Sequence, residues 1–221
     1  MSRKRRIIEP HAAYHVLNRA AKKAALFETG GDYHAFEKLL GEACERHPMR
    51  VLAYCLMPNH WHLLLWPEPT QDLTRFVQWL STTHAARWNR AHKNLGGGAV
   101  YQSRFKSIPI QTGPHLLWVW RYVERNALRS NLVQRAEDWR WSSLWHRRTN
   151  DDKLLDSGPV PLPPDWLDIV NIPQTEAELA VFRHHVAKMK PYGSDSWLAT
   201  EPPPRGRPPL TKNVKRGSDP I

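Results

Sequence analysis

Cysteine is scarce in this chain. Only Cys44 and Cys55 occur among 221 residues, which fits neither a disulfide framework nor a C-x-x-C metal site and points to a reducing compartment. Long apolar runs are missing as well. Nothing approaches the roughly 20 residues that a membrane span needs. The basic start, MSRKRRIIEP, leads into no apolar stretch of the signal-peptide kind. Acidic residues are outnumbered, 21 against 32 Lys and Arg, for a formal charge of +11. The imbalance is segregated: residues 1–23 sum to +6, 24–86 to −3, 87–148 to +9, 149–201 to −5 and 202–221 to +4. Basic charge clustered in this way suggests a polyanionic partner, most often nucleic acid. Solvated basic ends are the plainer alternative. Hydrophobic residues make up 41% of the chain and include 11 Trp, enough for a core and suited to packing or base stacking.

Periodicity divides the chain into three parts. Residues 1–149 read as one folded domain, 150–201 as a C-terminal extension packing on it, and 202–221 as an extended basic tail. HVLNRA (15–20) has strand length. Residues 32–47 place Phe36, Leu39, Leu40 and Ala43 at helical spacing, with Asp32 as the expected N-cap. Two apolar runs, 51–57 and 61–66, flank the turn signal PNH and predict a hairpin. Residues 72–93 return to helical spacing, 100–111 read as a strand, and 113–133 as one helix begun near Gly113–Pro114. The order predicts an α+β fold of ferredoxin-like topology, an antiparallel β-sheet with flanking helices on one face. Residues 150–175 are expected to run extended over the surface, and 176–190 to form a short helix.

His60-Trp61-His62 on a strand puts both imidazoles on one face. That is a partial site for a divalent ion, although with 12 histidines in the chain the pair can equally be structural. In the 113–133 helix Leu116, Trp120, Val123 and Ala127 form a core stripe. Beside it Tyr122, Arg125, Asn126 and Arg129 bring a phenol, an amide and two guanidiniums to one face. An amide oxygen suits Mg²⁺ or Mn²⁺, and a tyrosine hydroxyl can act as a covalent nucleophile. A half-buried tyrosine among solvated arginines accounts for the same stripe. Arg104 and Lys106 alternate with Phe105 as a phosphate-contacting ridge, and Tyr101 is a second candidate nucleophile. In the tail, Pro204-Arg205-Gly206-Arg207-Pro208 matches the AT-hook core, whose arginines enter narrow minor grooves.

Taken together, LMPNHWHLLL (56–65), VYQSRFKS (100–107), RYVERN (121–126) and WRWSS (139–143) resemble the REP-associated tyrosine transposases, IS200-like proteins that pair a His-hydrophobic-His motif with one catalytic tyrosine. The resemblance covers roughly residues 10–146 and includes the PRGRP tail. It implies an antiparallel sheet carrying the His pair on central strands, and an endonuclease and strand transferase acting on single-stranded DNA. In that scheme His60, His62 and Asn126 bind Mg²⁺ or Mn²⁺, and Tyr122 forms a 5′-phosphotyrosine. The hairpin form of the DNA is what the resemblance implies; from the placement of basic charge, Arg3, Lys4, Arg5, Arg6, Arg104, Lys106, Arg125, Arg129, Arg205 and Arg207 are expected to contact it. The expected setting is the bacterial cytoplasm at the nucleoid; a monomer is slightly favoured, and the sequence leaves open whether the tyrosine helix sits on its own His pair or on a partner's. Where family members continue the tyrosine helix as Asn-Pro-Val-Arg-Ala-Gly, this chain has Asn126-Ala127-Leu128-Arg129-Ser130-Asn131. That substitution puts the helix end in question and leaves the Tyr/Asn spacing alone. A non-catalytic protein that recognises palindromes, and an RNA-binding protein with stacking tryptophans, are the competing readings.

Overall fold

The computed structural model describes residues 12–21, 25–68, 71–94, 98–151 and 153–200. Six elements make the central unit: β1 (Ala13–Arg19), α1 (Gly30–Arg46), β2 (Arg50–Met57), β3 (His60–Trp66), α2 (Leu73–Ala91) and β4 (Lys106–Ile110). The strands form one antiparallel sheet in the order β2-β3-β1-β4. This is the ferredoxin-like arrangement that the order of apolar segments predicts. Alternation along the strands sorts side chains onto two faces. Tyr14, Val16, Tyr54, Leu56, Trp61, Leu63 and Leu65 pack with Phe36, Leu39 and Leu40 of α1 and Phe76, Val77 and Leu80 of α2.

The opposite face is covered too, which differs from the expected one-sided layer. Ala13, Ala53, Cys55, Leu64, Ile108 and Ile110 pack beneath Leu116, Val119, Trp120 and Val123 of α3 (Pro114–Glu124). Strands whose alternate positions are all apolar have two faces to bury, so a second helical layer follows. Around α3 lie α4 (Asn126–Arg129), α5 (Ser143–Arg148), α6 (Trp166–Asn171), α7 (Glu176–Lys188) and, last in the chain, α8 (Asp195–Thr200). The short α6 falls inside the stretch expected to be extended. Trp166 is buried there and anchors it. No helix among the described residues is long and apolar enough to cross a membrane.

Local chemistry explains most boundaries. The N-cap of α1 is Thr29, three residues before the expected Asp32. Asp32 is instead the far half of a capping box, accepting from the Thr29 N–H at 2.8 Å. The tyrosine helix is not continuous over 113–133: α3 stops at Glu124, and α4 runs to Arg129. Asn131 then adopts φ 56°. Its N–H bonds to the Leu128 carbonyl at 3.0 Å, and the Leu132 N–H to the Ala127 carbonyl at 3.0 Å. These are the two bonds of a Schellman stop, normally made with glycine and tolerated by asparagine. Asn131 therefore takes the place of the Gly in the common family pattern.

The WRWSS segment closes the exposed side of β2. Leu56 donates to the Trp141 carbonyl at 2.9 Å, and Trp139 Nε1 donates to the Leu56 carbonyl at 2.9 Å. Ser142 caps α5. Ser143 Oγ accepts from the Tyr54 N–H at 3.0 Å and donates to Glu124 Oε1 at 2.7 Å. Glu124, fully buried at the end of α3, also accepts from Trp166 Nε1 at 2.7 Å and from Trp120 Nε1 at 3.3 Å. One carboxylate thus ties the tyrosine helix to β2, α5 and α6.

Candidate active site

The pairing register builds the site. His60 lies opposite Arg19, and His62 opposite Leu17, which in turn faces Lys106 of β4. These residues share the sheet face under α3, at the end of the strands beyond its apolar packing. A cavity of about 440 Å³ opens there, lined by His60, His62 and Tyr122, and by five cations: Arg19, Arg104, Lys106, Arg129 and Arg183. Among the described residues no carboxylate lines it. A pocket with that lining attracts phosphate.

The two histidine rings lie 4.9 Å apart between centroids. Asn59 Oδ1 lies 2.6 Å from His60 Nδ1, and the Nε2 of His15, a buried residue of β1, lies 2.9 Å from His62 Nδ1. Burial, aided by the charges of Arg19 and Arg129, pushes His60 down to about 4. Burial, the neighbouring His60 and His15, and then Arg129 and Arg19 hold His62 well below the ordinary imidazole range. His15 is lowered to about 3 by burial alone. All three rings are therefore neutral at physiological pH, the form in which an imidazole can ligate a metal.

Tyr122 sits at the edge of this pair, its ring 5.9 Å from that of His62. Trp118 stacks on it at 5.9 Å, Phe182 of α7 meets it edge-on at 4.7 Å, and the Arg129 guanidinium lies 5.2 Å over its face. Asn126 is one turn on, as its spacing predicts, but fully buried. Its Nδ2 donates to the Tyr122 carbonyl at 3.3 Å, and its amide oxygen accepts from the Arg129 guanidinium. The structure therefore does not bring Asn126 into the pocket lining with the His pair, and its amide oxygen is engaged by Arg129.

Two expectations change. Arg125 does not share the face of Tyr122. Its guanidinium donates to the Asn171 carbonyl at 2.9 Å and the Val170 carbonyl at 3.3 Å, because the C-terminal end of α6 presents unpaired carbonyls there. Tyr101 is not a rival nucleophile. Its hydroxyl accepts from Trp61 Nε1 at 3.0 Å and pairs with His84 Nδ1 at 2.7 Å beneath the α2 face, where burial pushes its pKa up. Arg104 and Lys106 reach the pocket as expected, though Arg104 precedes β4. Arg3, Lys4, Arg5, Arg6, Arg205 and Arg207 lie outside the described residues. Sequence reasoning missed His15, Arg19 and Arg183. The first two were available from alternation, since residues 15, 17 and 19 share a strand face. Arg183 carries no local signal.

Three comparisons bear on this geometry. A family model described as "Transposase IS200 like" matches residues 10–126, which include the His pair, Tyr122 and Asn126. A curated protein of Haemophilus influenzae, described as a putative REP-associated tyrosine transposase, is 26% identical over 125 residues, 52% of this chain and 70% of that one. The solved structure of a REP-associated tyrosine transposase bound to a REP hairpin superposes with a TM-score of 0.55 at 17% identity. It covers 72% of this chain and 92% of its own. At that identity the structural likeness speaks for the fold, and the fold agrees. With the family match spanning more than half of the sequence and taking in the histidine pair and the tyrosine, the chain belongs to the IS200-like transposase family.

Proposed function

We propose that this protein cleaves and rejoins single-stranded DNA beside palindromic hairpins, through a covalent link to Tyr122. One observation carries the reading: Tyr122 and the His pair of the same chain line a single pocket rimmed by five cations and, among the described residues, by no acid. Arg104, Lys106 and Arg129 hold the phosphates of the bound strand. The Tyr122 oxygen attacks the scissile phosphorus and expels the 3′ oxygen, leaving a 5′-phosphotyrosine and a free 3′-hydroxyl. Attack on that ester by another 3′-hydroxyl rejoins strands and frees Tyr122 without an external energy source. His60 and His62 would hold Mg²⁺ or Mn²⁺, with the Asn126 amide oxygen as a third donor. A bound cation would supply Lewis-acid polarisation of the phosphate. The two imidazoles fit such an ion, because both are neutral and line the pocket and no hydrogen bond to either Nε2 occurs among the described residues, whereas Asn126, outside the pocket lining and bonded to Arg129, would have to be released to join them.

Tyr122 and the His pair line one pocket without a residue from a second copy, which supports action in cis. Arg3, Lys4, Arg5, Arg6, Arg205 and Arg207 grip DNA flanking the reacting strand, which agrees with a setting at the cytoplasmic nucleoid. Arg125, held on α6, serves the fold of the tyrosine helix.

The test is incubation with a hairpin oligonucleotide carrying a single-stranded flank, with Mg²⁺ or Mn²⁺. A covalent protein–DNA adduct forms with the wild type and is lost in Tyr122→Phe, which still binds the hairpin. Tight binding with no adduct across several palindromes would instead establish the non-catalytic alternative.

A further inference from the structure

His15 is a buried polar side chain whose hydrogen bonding is spent on one group. Its Nε2 lies 2.9 Å from His62 Nδ1, and its own Nδ1 has no hydrogen-bond partner among the described residues. Buried polar atoms are nearly always satisfied, and an exception calls for a reason. The two rings are 21° from coplanar with centroids 5.1 Å apart. That separation is what two imidazoles reach when joined end to end by a hydrogen bond of this length, so the contact is a directed N–H···N bond. Phe182 at 5.2 Å and Tyr122 at 5.9 Å enclose His15 and restrict rotation of its ring.

The direction of that bond decides whether His62 can serve a cation. An imidazole that ligates through Nε2 carries its proton on Nδ1, and that proton needs an acceptor. For His60 the acceptor at hand is Asn59 Oδ1, 2.6 Å from Nδ1. For His62 the only group within reach of Nδ1 among the described residues is His15 Nε2. We propose that His15 is the positioning residue of the pocket: it accepts the Nδ1 proton of His62 and so holds the Nε2 lone pair of His62 open to a divalent cation. The inference rests on the reading of His60 and His62 as cation ligands. It adds a residue that lies on a different strand and outside the His-hydrophobic-His motif. It also assigns a role to the packing of α7, since Phe182 of that helix closes the space around His15.

The experiment uses full-length protein in a Tyr122→Phe background, saturated with a hairpin oligonucleotide, and titrates Mn²⁺ by electron paramagnetic resonance with free oligonucleotide as blank. His62→Ala removes the protein-dependent Mn²⁺ site. His15→Phe keeps an aromatic ring beside Phe182 and Tyr122 but offers no acceptor, and weakens Mn²⁺ binding by about tenfold or more. His15→Gln places an amide oxygen near the former Nε2 and restores binding toward the unsubstituted level, which a packing role would not predict. Long-range ¹H–¹⁵N spectra of the Mg²⁺-loaded complex then show His62 and His15 both protonated on Nδ1. The proposal is overturned if His15→Phe, folded by thermal melting, binds Mn²⁺ as tightly as unsubstituted protein while His62→Ala does not. A His62 proton on Nε2 in the Mg²⁺-loaded spectra overturns it as well, whether or not His15→Phe folds. Binding that His62→Ala leaves intact removes the ligand reading itself and this inference with it.

Discussion

Tyr122 is oriented by what surrounds its ring as much as by its helix. Trp118 from the preceding turn, Phe182 from α7 and the Arg129 guanidinium enclose it, and its exposure is only 6%. In the proposed reaction the hydroxyl is the attacking group, so Tyr122→Phe is expected to abolish the DNA adduct and change stability by under about 1 kcal/mol. On the other face of the sheet, His84 shows how burial ties single residues to pH. Its Nδ1 pairs with the Tyr101 hydroxyl, and burial pushes its pKa down to about 4. His60 is lowered to about 4 and His15 to about 3, chiefly by burial. In each case the unfolded chain binds a proton that the folded protein refuses. Stability from these groups is therefore complete above about pH 6.5 and is lost as pH falls from there toward 4. The urea midpoint is expected to drop between pH 7 and pH 4.5. In His84→Asn, which keeps an acceptor for Tyr101 and cannot titrate, the drop should be smaller.

At the scale of elements, the tyrosine helix is defined by its stop and by the junction of its two parts. Its end at α4 is the Schellman stop at Asn131, φ 56°. Replacing Asn131 with glycine should leave thermal stability level or raise it slightly. Asn131→Ala should cost about 1 kcal/mol, read as a lowered melting temperature, because a Cβ without a polar side chain disfavours that conformation. The junction of α3 and α4 is held by Glu124, which accepts from Ser143, Trp166 and Trp120, with Arg147 3.5 Å away. Glu124→Ala would strand those donors and a cation, and should lower unfolding free energy by about 3 kcal/mol or more. Glu124→Gln, which keeps acceptor and donor atoms, should cost less in the same urea titration. A second carboxylate, Glu37 of α1, binds the Tyr54 hydroxyl at 2.9 Å and His146 Nε2 at 2.9 Å, so α5 is fastened from both faces of the sheet.

Across the whole molecule, charge is partitioned by task. The +9 stretch supplies Arg104, Lys106 and Arg129 to the pocket. Arg19 comes from the basic N-terminal stretch and Arg183 from a segment that is acidic overall. The tail 202–221 carries five basic groups and one acid. Its removal is expected to weaken hairpin binding and flatten the dependence of log affinity on log salt, since a protein that neutralises fewer phosphates releases fewer counterions on binding. An unchanged slope in a salt series of equilibrium binding would mean that the tail touches no phosphate.

The boundary between sequence and structure runs through particular residues. His60 and His62 were legible as a pair because strand alternation is a local rule, and the stripe Leu116, Trp120, Val123, Ala127 was legible because helical period is local as well; all four are fully buried. The sheet order followed from short connections between apolar segments. Capping was less legible, since Thr29 and Asp32 share one motif and either could head the helix. Partners distant in the chain were not legible at all. Arg125 turns to carbonyls of α6 some 45 residues on, Arg183 arrives from α7, and His15 meets His62 from another strand. Local pattern determines which face a side chain leaves from, because backbone geometry sets the direction of Cβ. Where a long or titratable side chain ends depends on which buried donors and acceptors the tertiary fold brings within hydrogen-bond reach, and only the folded chain decides that.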